Sequence, residues 1–349
     1  ILIKHVQQNT LKLVYSDPQG NEELREAICG IAQRLRGVRA RPEQVIVTSG
    51  SQLGLLMCLK ILFSPGDKVW IEDPQYPLLR AATKTQDIVP VYVPVDNEGF
   101  NLQTALALEP NAKGVFLTPS HQCPLGMLMS IQRRRNILQW ASESGGWIVE
   151  DDYDSELRYG GNLAYPSLQG MDSGNNVIYV GTFSKSLFPG LRLGYMVVPE
   201  ELVKPFSGMR FLIDRQSNEI LQMAVAEFIK TGLYETHLLK MRRIFEARRD
   251  YLIQAVQENF GDWGKFIATG QGMHLTFVFN NSDINDEAVA DLCRQQGVEL
   301  RSISSFSIGT PLYKGLIMGF GHFPPAQLLA AVSRIGFVLR DKFAAFGPN

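Results

Sequence analysis

Lys185 closes the run Val177-Ile178-Tyr179-Val180-Gly181-Thr182-Phe183-Ser184-Lys185. A short β-branched and aromatic stretch of this kind predicts a buried strand, and the hydroxyl-rich turn after it delivers a single lysine. Arg192 follows beyond the Pro189-Gly190 break, and upstream Trp147-Ile148-Val149-Glu150-Asp151 predicts a second buried strand that ends in carboxylates, with Tyr153 just past it. A lysine held at a strand end attacks carbonyl carbon once it loses its proton, and a neighbouring cation such as Arg192 eases that loss. A guanidinium also grips phosphate through paired hydrogen bonds. A carboxylate such as Asp151 beside a pyridine nitrogen favours its protonated form, which makes the ring an electron sink.

Three further segments carry polar groups at predicted strand ends. Thr48-Ser49-Gly50-Ser51-Gln52 follows a strand and opens a helix, where backbone N–H groups and the side chains of Ser49, Ser51 and Gln52 can hold a phosphate; a plain N-cap turn is the ordinary alternative. Tyr76, in Glu72-Asp73-Pro74-Gln75-Tyr76, has a ring that can lie on a flat heteroaromatic ligand, or simply sit in a turn. The loop Thr118-Pro119-Ser120-His121-Gln122-Cys123-Pro124-Leu125-Gly126 presents His121 and Gln122 as donors or stacking groups, against the reading of a satisfied loop histidine. Asp152 and Asp154 flank Asp151, so a solvated acidic turn competes there; no His or Cys stands nearby to complete a ligand set, and no metal is expected. Amine, acid, phenol and phosphate donors gathered at strand ends are what pyridoxal phosphate requires.

The elements that must position these groups recur along the chain. Strand-like runs stand at 45–47, 69–71, 89–93, 115–117, 147–149, 177–180 and 195–198, and helical stretches separate several of them, notably Ser51–Leu62 and 131–142. Leu24, Ile28, Ile31 and Leu35 line one face of a helix from Asn21 to Arg36, with Asn21 as N-cap. Buried strands alternating with helices predict an α/β fold, a seven-stranded, mostly parallel sheet sandwiched by helices, with ligands at the carboxyl ends of its strands. After Pro205 the pattern changes to long helices (219–230 and 234–259), an alternating strand at 273–279, a helix at 286–296, a strand at 316–320 and a final helix from Pro325. This predicts a smaller α+β domain, giving a large domain over 1–235 and a small one over 236–349. Arg242, Arg243, Arg248 and Arg249 are expected on a solvated helix face.

Bulk properties exclude several functions. The chain has 349 residues, 45% hydrophobic and 20% charged, with a formal net charge of −1, so charge balance implies no general attraction to nucleic acid or membrane. Neither a basic run nor a zinc spacing marks a DNA-binding module within these residues. Cys29, Cys58, Cys123 and Cys293 form no Cys-x-x-Cys pair, which points to a reducing, cytoplasmic setting. The apolar stretch from Leu53 to Phe63 is too short to span a bilayer. A chain that starts at Ile1 rather than Met leads to the expectation of an N-terminal portion outside it.

Taken together, the segments Tyr15–Gly20, Thr48–Gln52, Glu72–Tyr76, Thr118–Gly126, Glu150–Tyr159 and Gly181–Tyr195 resemble fold-type I pyridoxal-phosphate enzymes, the aspartate aminotransferase superfamily. Within it, the Pro-Ser-His-Gln-x-Pro-x-Gly and Glu-Asp-Asp-Tyr-Asp-Ser-Glu runs are most similar to the aminotransferase-like domain of MocR/GabR-type transcriptional regulators. The resemblance implies that Lys185 carries the internal aldimine and shuttles protons, that Asp151 pairs with the pyridinium nitrogen, and that Tyr153 donates to the phenolate oxygen. It implies Tyr76 as the stacking ring, and Ser49, Gly50, Ser51, Gln52, Thr182, Ser184 and Arg192 as the phosphate cup. Tyr15 is similar to a tyrosine that reaches the neighbouring subunit's phosphate, which implies a homodimer with sites at its interface. Three positions depart from the pattern. Ile317 and Leu78 stand where substrate-binding arginines are expected, and Cys123 stands where an asparagine is common. The resemblance therefore implies an effector-sensing domain that forms an external aldimine with an amine or amino acid, reaching DNA only through an N-terminal domain outside this chain. The alternative is a free-standing aminotransferase; in either case transaminase chemistry is expected to survive at least as a half-reaction.

Overall fold

The structure is a computed structural model that describes residues 1–7, 15–161, 165–309 and 311–347. Its first sheet joins β1 (Val45–Thr48), β2 (Lys68–Asp73), β3 (Val89–Pro94), β4 (Gly114–Leu117), β5 (Trp147–Asp152), β6 (Val177–Thr182) and β7 (Gly194–Val197) in the order β1-β7-β6-β5-β4-β2-β3. Strands β2 to β6 pair in parallel, whereas β7 is antiparallel to both β1 and β6. All seven expected strands are present. Their side chains alternate between two faces, and helices cover both. Val45, Val47, Tyr179 and Tyr195 enter a core with the helix Glu22–Arg36, while Ile46, Ile178, Val180 and Met196 pack on the opposite side against Leu55 and Leu59 of the helix Ser51–Leu62. Asn21 caps its helix as expected, with Oδ1 accepting from the Leu24 N–H at 3.0 Å.

The second sheet contains β8 (Gly264–Ile267), β9 (His274–Phe279), β10 (Arg301–Ser302) and β11 (Gly315–Gly319) in the antiparallel order β10-β11-β9-β8. One face forms its own core, in which Phe277 and Leu316 meet Phe245, Leu252 and Leu339 from the helices Leu233–Phe260 and Pro325–Lys342. The other face turns toward the loop after β4. There the Thr276 hydroxyl donates to the Pro124 carbonyl at 2.6 Å, and His274 Nε2 lies 3.0 Å from the same oxygen.

The helix Leu233–Phe260 bridges the two cores: Tyr234 and Leu238 belong to the first and Phe245 onward to the second. The sequence-based division after residue 235 falls within its first turn. The solvated arginine face expected here holds for Arg243 alone. Arg242 Nε donates to the Glu156 carbonyl at 2.6 Å, Arg248 to the Gly321 carbonyl, and the Arg249 guanidinium lies 4.8 Å from the Tyr159 ring centroid. Long cationic side chains lay their stems on apolar surface while the head finds acceptors, so helical spacing alone does not reveal which of them anchor a loop. The helix Glu200–Asp214 runs through Pro205. Glu201 and Pro205 are both exposed, which leaves water to serve the carbonyl that loses its donor. Among the described residues, no helix is long and apolar enough to cross a membrane.

Candidate cofactor site

The end of the site suited to an anion forms where β1 turns into the helix Ser51–Leu62. Gly50 has φ +103°, a conformation that disfavours any side chain, and a Cβ there would sit 3.4 Å from both terminal guanidinium nitrogens of Arg192. Arg192 itself has φ 50°, and its Nη2 donates to the Ser49 carbonyl at 2.8 Å. This locks the guanidinium across the helix start. From β6, the Thr182 hydroxyl accepts the Ser184 N–H at 3.2 Å and donates to the Ser184 hydroxyl at 3.1 Å. The Ser49 hydroxyl donates to Asp214 at 3.1 Å, Ser51 opens the helix, and Gln52 donates to the Leu78 carbonyl at 3.3 Å while its buried Oε1 has no partner. Free N–H groups at a helix start, a fixed guanidinium and hydroxyls on the facing strand are the donors a phosphate needs.

Alternation along β5 sorts the acidic run. Glu150 accepts the N–H groups of Leu168 and Gln169 at 3.0 Å each, and Asp152 accepts Arg36 Nε at 2.6 Å and the Tyr179 hydroxyl at 2.7 Å. Asp154 holds His121 Nδ1 at 2.9 Å. All three are buried, so the turn is not a solvated acidic one. Asp151 points the other way, and its buried Oδ1 has no hydrogen-bond partner. Burial, reinforced by Asp152, Asp154 and Glu72, pushes its carboxyl up to about 7, and the Lys185 charge pulls in the opposite direction. An orphaned buried carboxylate oxygen with a raised pKa calls for a cationic N–H. The Lys185 charge also bears on Cys123 and His274, which places the amine among these groups.

The walls come from three loops. Tyr76, half-buried, begins the helix Pro77–Thr85, and burial followed by the charge of Asp151 raises its hydroxyl pKa. The Tyr153 hydroxyl lies 3.1 Å from His121 Nδ1, and the His121 ring stacks toward His274 with centroids 5.1 Å apart. Burial, then His121, lowers His274 to about 4, so it is neutral at pH 7. Gln122 is engaged by neighbouring backbone. Its amide donates to the carbonyls of Pro74 at 2.7 Å and Cys123 at 2.9 Å, and accepts Leu125 N–H at 3.1 Å. It is a loop brace, because a buried amide satisfies itself on nearby backbone. Tyr15 stands apart from the cluster, 70% exposed, with Arg215 stacked 3.6 Å from its ring centroid. Leu78 is exposed, and Ile317 is half-buried beside Leu125 and Met127.

Sequence reasoning passed over Glu72, His274 and Arg301. Glu72 lies buried beneath the site, accepting Thr118 Oγ at 2.5 Å, and burial raises it to about 7. Its place at the end of β2 was visible, but its inward direction was not. His274 and Arg301 belong to the second sheet, and only the docking of that sheet brings them here.

Residues 3–318 match the family model for aminotransferases of class I and II, and the chain belongs to that family. Pyridoxal phosphate is the family's cofactor, and the orphaned Asp151 oxygen and the Gly50–Arg192 cradle fit it. The chain is 35% identical over 331 residues to the probable rhizopine catabolism regulatory protein MocR of Rhizobium meliloti, covering 93% of this chain and 64% of that protein. It is also 35% identical over 320 residues to the uncharacterized HTH-type transcriptional regulator YdeL of Bacillus subtilis, with 90% and 67% covered. The chain thus spans about two thirds of the length of these relatives. Its fold is that of Pyrococcus horikoshii kynurenine aminotransferase, with a TM-score of 0.89, 24% identity, and coverage of 98% of this chain and 86% of that one.

Proposed function

We propose that this chain is the effector-sensing, aminotransferase-like domain of a MocR/GabR-type transcriptional regulator. One observation carries the reading: groups suited to the cofactor are intact around Asp151, while the neighbouring β11 turns Ile317, an apolar residue, toward the site loop. The likeness to two regulators that extend well beyond this chain supports it. When bound, the cofactor supplies an aldehyde for amine capture and a ring that withdraws electrons.

The chain's own residues take defined roles in this reading. Lys185 would hold the cofactor covalently, and its amine, when free, would serve as the site's base. Asp151 keeps the ring nitrogen protonated. Arg192, Ser49, Gly50, Ser51, Gln52, Thr182 and Ser184 anchor the phosphate, and Tyr76 covers the ring. Tyr153, positioned by His121 and Asp154, would donate to the ring's oxygen substituent. DNA is reached through a segment outside this chain. The protein is a cytoplasmic homodimer, a reading supported by four free cysteines and by an exposed apolar set beside the phosphate cup: Tyr15, Leu78, Phe211, Leu212 and Ile213. Lys185 and Asp151 also suit a free-standing aminotransferase, so the test must separate sensing from turnover.

Titrating the cofactor-loaded chain with amines and amino acids, while following the visible absorption band and the sedimentation coefficient, makes that separation. The expected result is a spectral change with an accompanying change of shape, and at most a half-reaction. Repeated turnover with a 2-oxo acid acceptor would favour the enzyme and overturn the sensor.

A further inference from the structure

The second sheet presents one row of side chains to the site loop. Thr276 of β9, Ile317 of β11 and Arg301 of β10 are directly opposed in register, and opposed residues of antiparallel strands project from the same face. Thr276 fixes which face this is, because its hydroxyl donates to the Pro124 carbonyl in the loop that carries His121. Ile317 agrees, packing with Leu125 and Met127 of that loop. Arg301 therefore ends the row on the side where the second sheet meets Tyr76. The segment just after β10 makes that meeting: the Phe306 carbonyl accepts the Gln75 N–H at 3.1 Å, and Asp73 Oδ1 accepts the Ile308 N–H at 3.0 Å. The Arg301 guanidinium lies 5.9 Å from the Phe306 ring centroid, and its charge is felt at the Tyr76 hydroxyl.

This guanidinium is exposed and, among the described residues, has no ion pair or hydrogen bond. Three acids line the cleft beside it, Glu287, Asp291 and Glu299, and Arg294 engages the last two at 2.6 and 3.4 Å. Adjacent strands lie only about 4.8 Å apart, and an arginine side chain reaches further than that. A cation on β10 can thus serve the space above Ile317, where β11 offers only an apolar side chain.

We infer that Arg301 binds the carboxylate of an amino-acid ligand in the Lys185–Asp151 site, so that the ligand is an amino acid and not a simple amine. The inference rests on the cofactor reading above and deepens it. Guanidinium and carboxylate match as a two-pronged, charge-assisted pair. The Phe306 ring lies beside the guanidinium, and Tyr76 is close enough to feel its charge.

Matched probes test it. L-Norvaline and 5-aminopentanoate each equal butylamine plus one carboxylate, placed at the α-carbon or at the far end. Their affinities for the cofactor-loaded chain are read from the visible band, without any turnover. The parent chain should bind at least one carboxylate probe more tightly than butylamine. Arg301→Gln should lower that preference about tenfold or more, and Arg301→Lys should restore part of it. Which probe responds tells whether the carboxylate is α or distal. If neither carboxylate probe binds the parent better than butylamine, or if Arg301→Gln leaves the preference intact, the inference is overturned. A parent chain that takes up no cofactor would instead overturn the functional reading, and this inference with it.

Discussion

Asp151 is the residue on which charge and chemistry meet. Its carboxyl is held near 7 against an ordinary 3.8, because burial and three neighbouring acids oppose ionisation. The sign of the consequence follows from linkage. A carboxyl whose folded pKa is raised favours the fold below about pH 4, and that contribution is lost as pH rises to about 7, at about 1.4 kcal/mol per pKa unit. In the cofactor-free chain, Asp151→Asn should raise Tm at pH 8 and change it little at pH 4. An equal effect at both pH values would contradict this account of the site. Arg192 has a different task. Its guanidinium is already aimed by the Ser49 carbonyl, so Arg192→Gln should weaken cofactor affinity about tenfold or more in an equilibrium dialysis measurement. Unchanged affinity would remove it from the phosphate cup.

At the scale of elements, much was legible because strands buried on both faces spell themselves as short β-branched runs. That is why β1 to β7 and the helix starting at Ser51 could be read directly. The strand β10 could not, since its two residues, Arg301 and Ser302, carry no periodicity and exist as a strand only through pairing with β11. The bonds that Gln122 makes were hidden for a related reason. Loop spacing revealed that an amide was present, but not that Pro74 and Cys123 would take it. The contact of β9 with the Pro124 loop is equally invisible before docking, and it carries a prediction. Thr276→Val keeps the side chain's shape and deletes its bond to Pro124, so it should cost about 1 kcal/mol. Hydrogen exchange at Leu125 and Gly126 should quicken in step. If neither stability nor exchange changes, the latch between the sheets does not matter.

At the scale of the whole molecule, two cores share the helix Leu233–Phe260, and we propose that they are two domains divided within it. The two sheets meet beside Tyr76, where the Phe306 carbonyl accepts the Gln75 N–H and Asp73 accepts the Ile308 N–H. Near Ser49, which donates to Asp214, lies the exposed apolar set, with Leu212 78% exposed; a contiguous apolar surface of this kind marks an interaction site. Leu212→Glu should therefore convert a dimer to monomers in analytical ultracentrifugation while Tm of the monomer changes little. A variant that sediments like the parent would remove this face from the interface. Every role assigned above presupposes that one amine carries the cofactor. Borohydride reduction of the loaded chain, followed by peptide mapping, measures this directly. The account predicts a phosphopyridoxyl group on Lys185 and none in Lys185→Ala; an adduct on another residue, or no adduct at all, would contradict it.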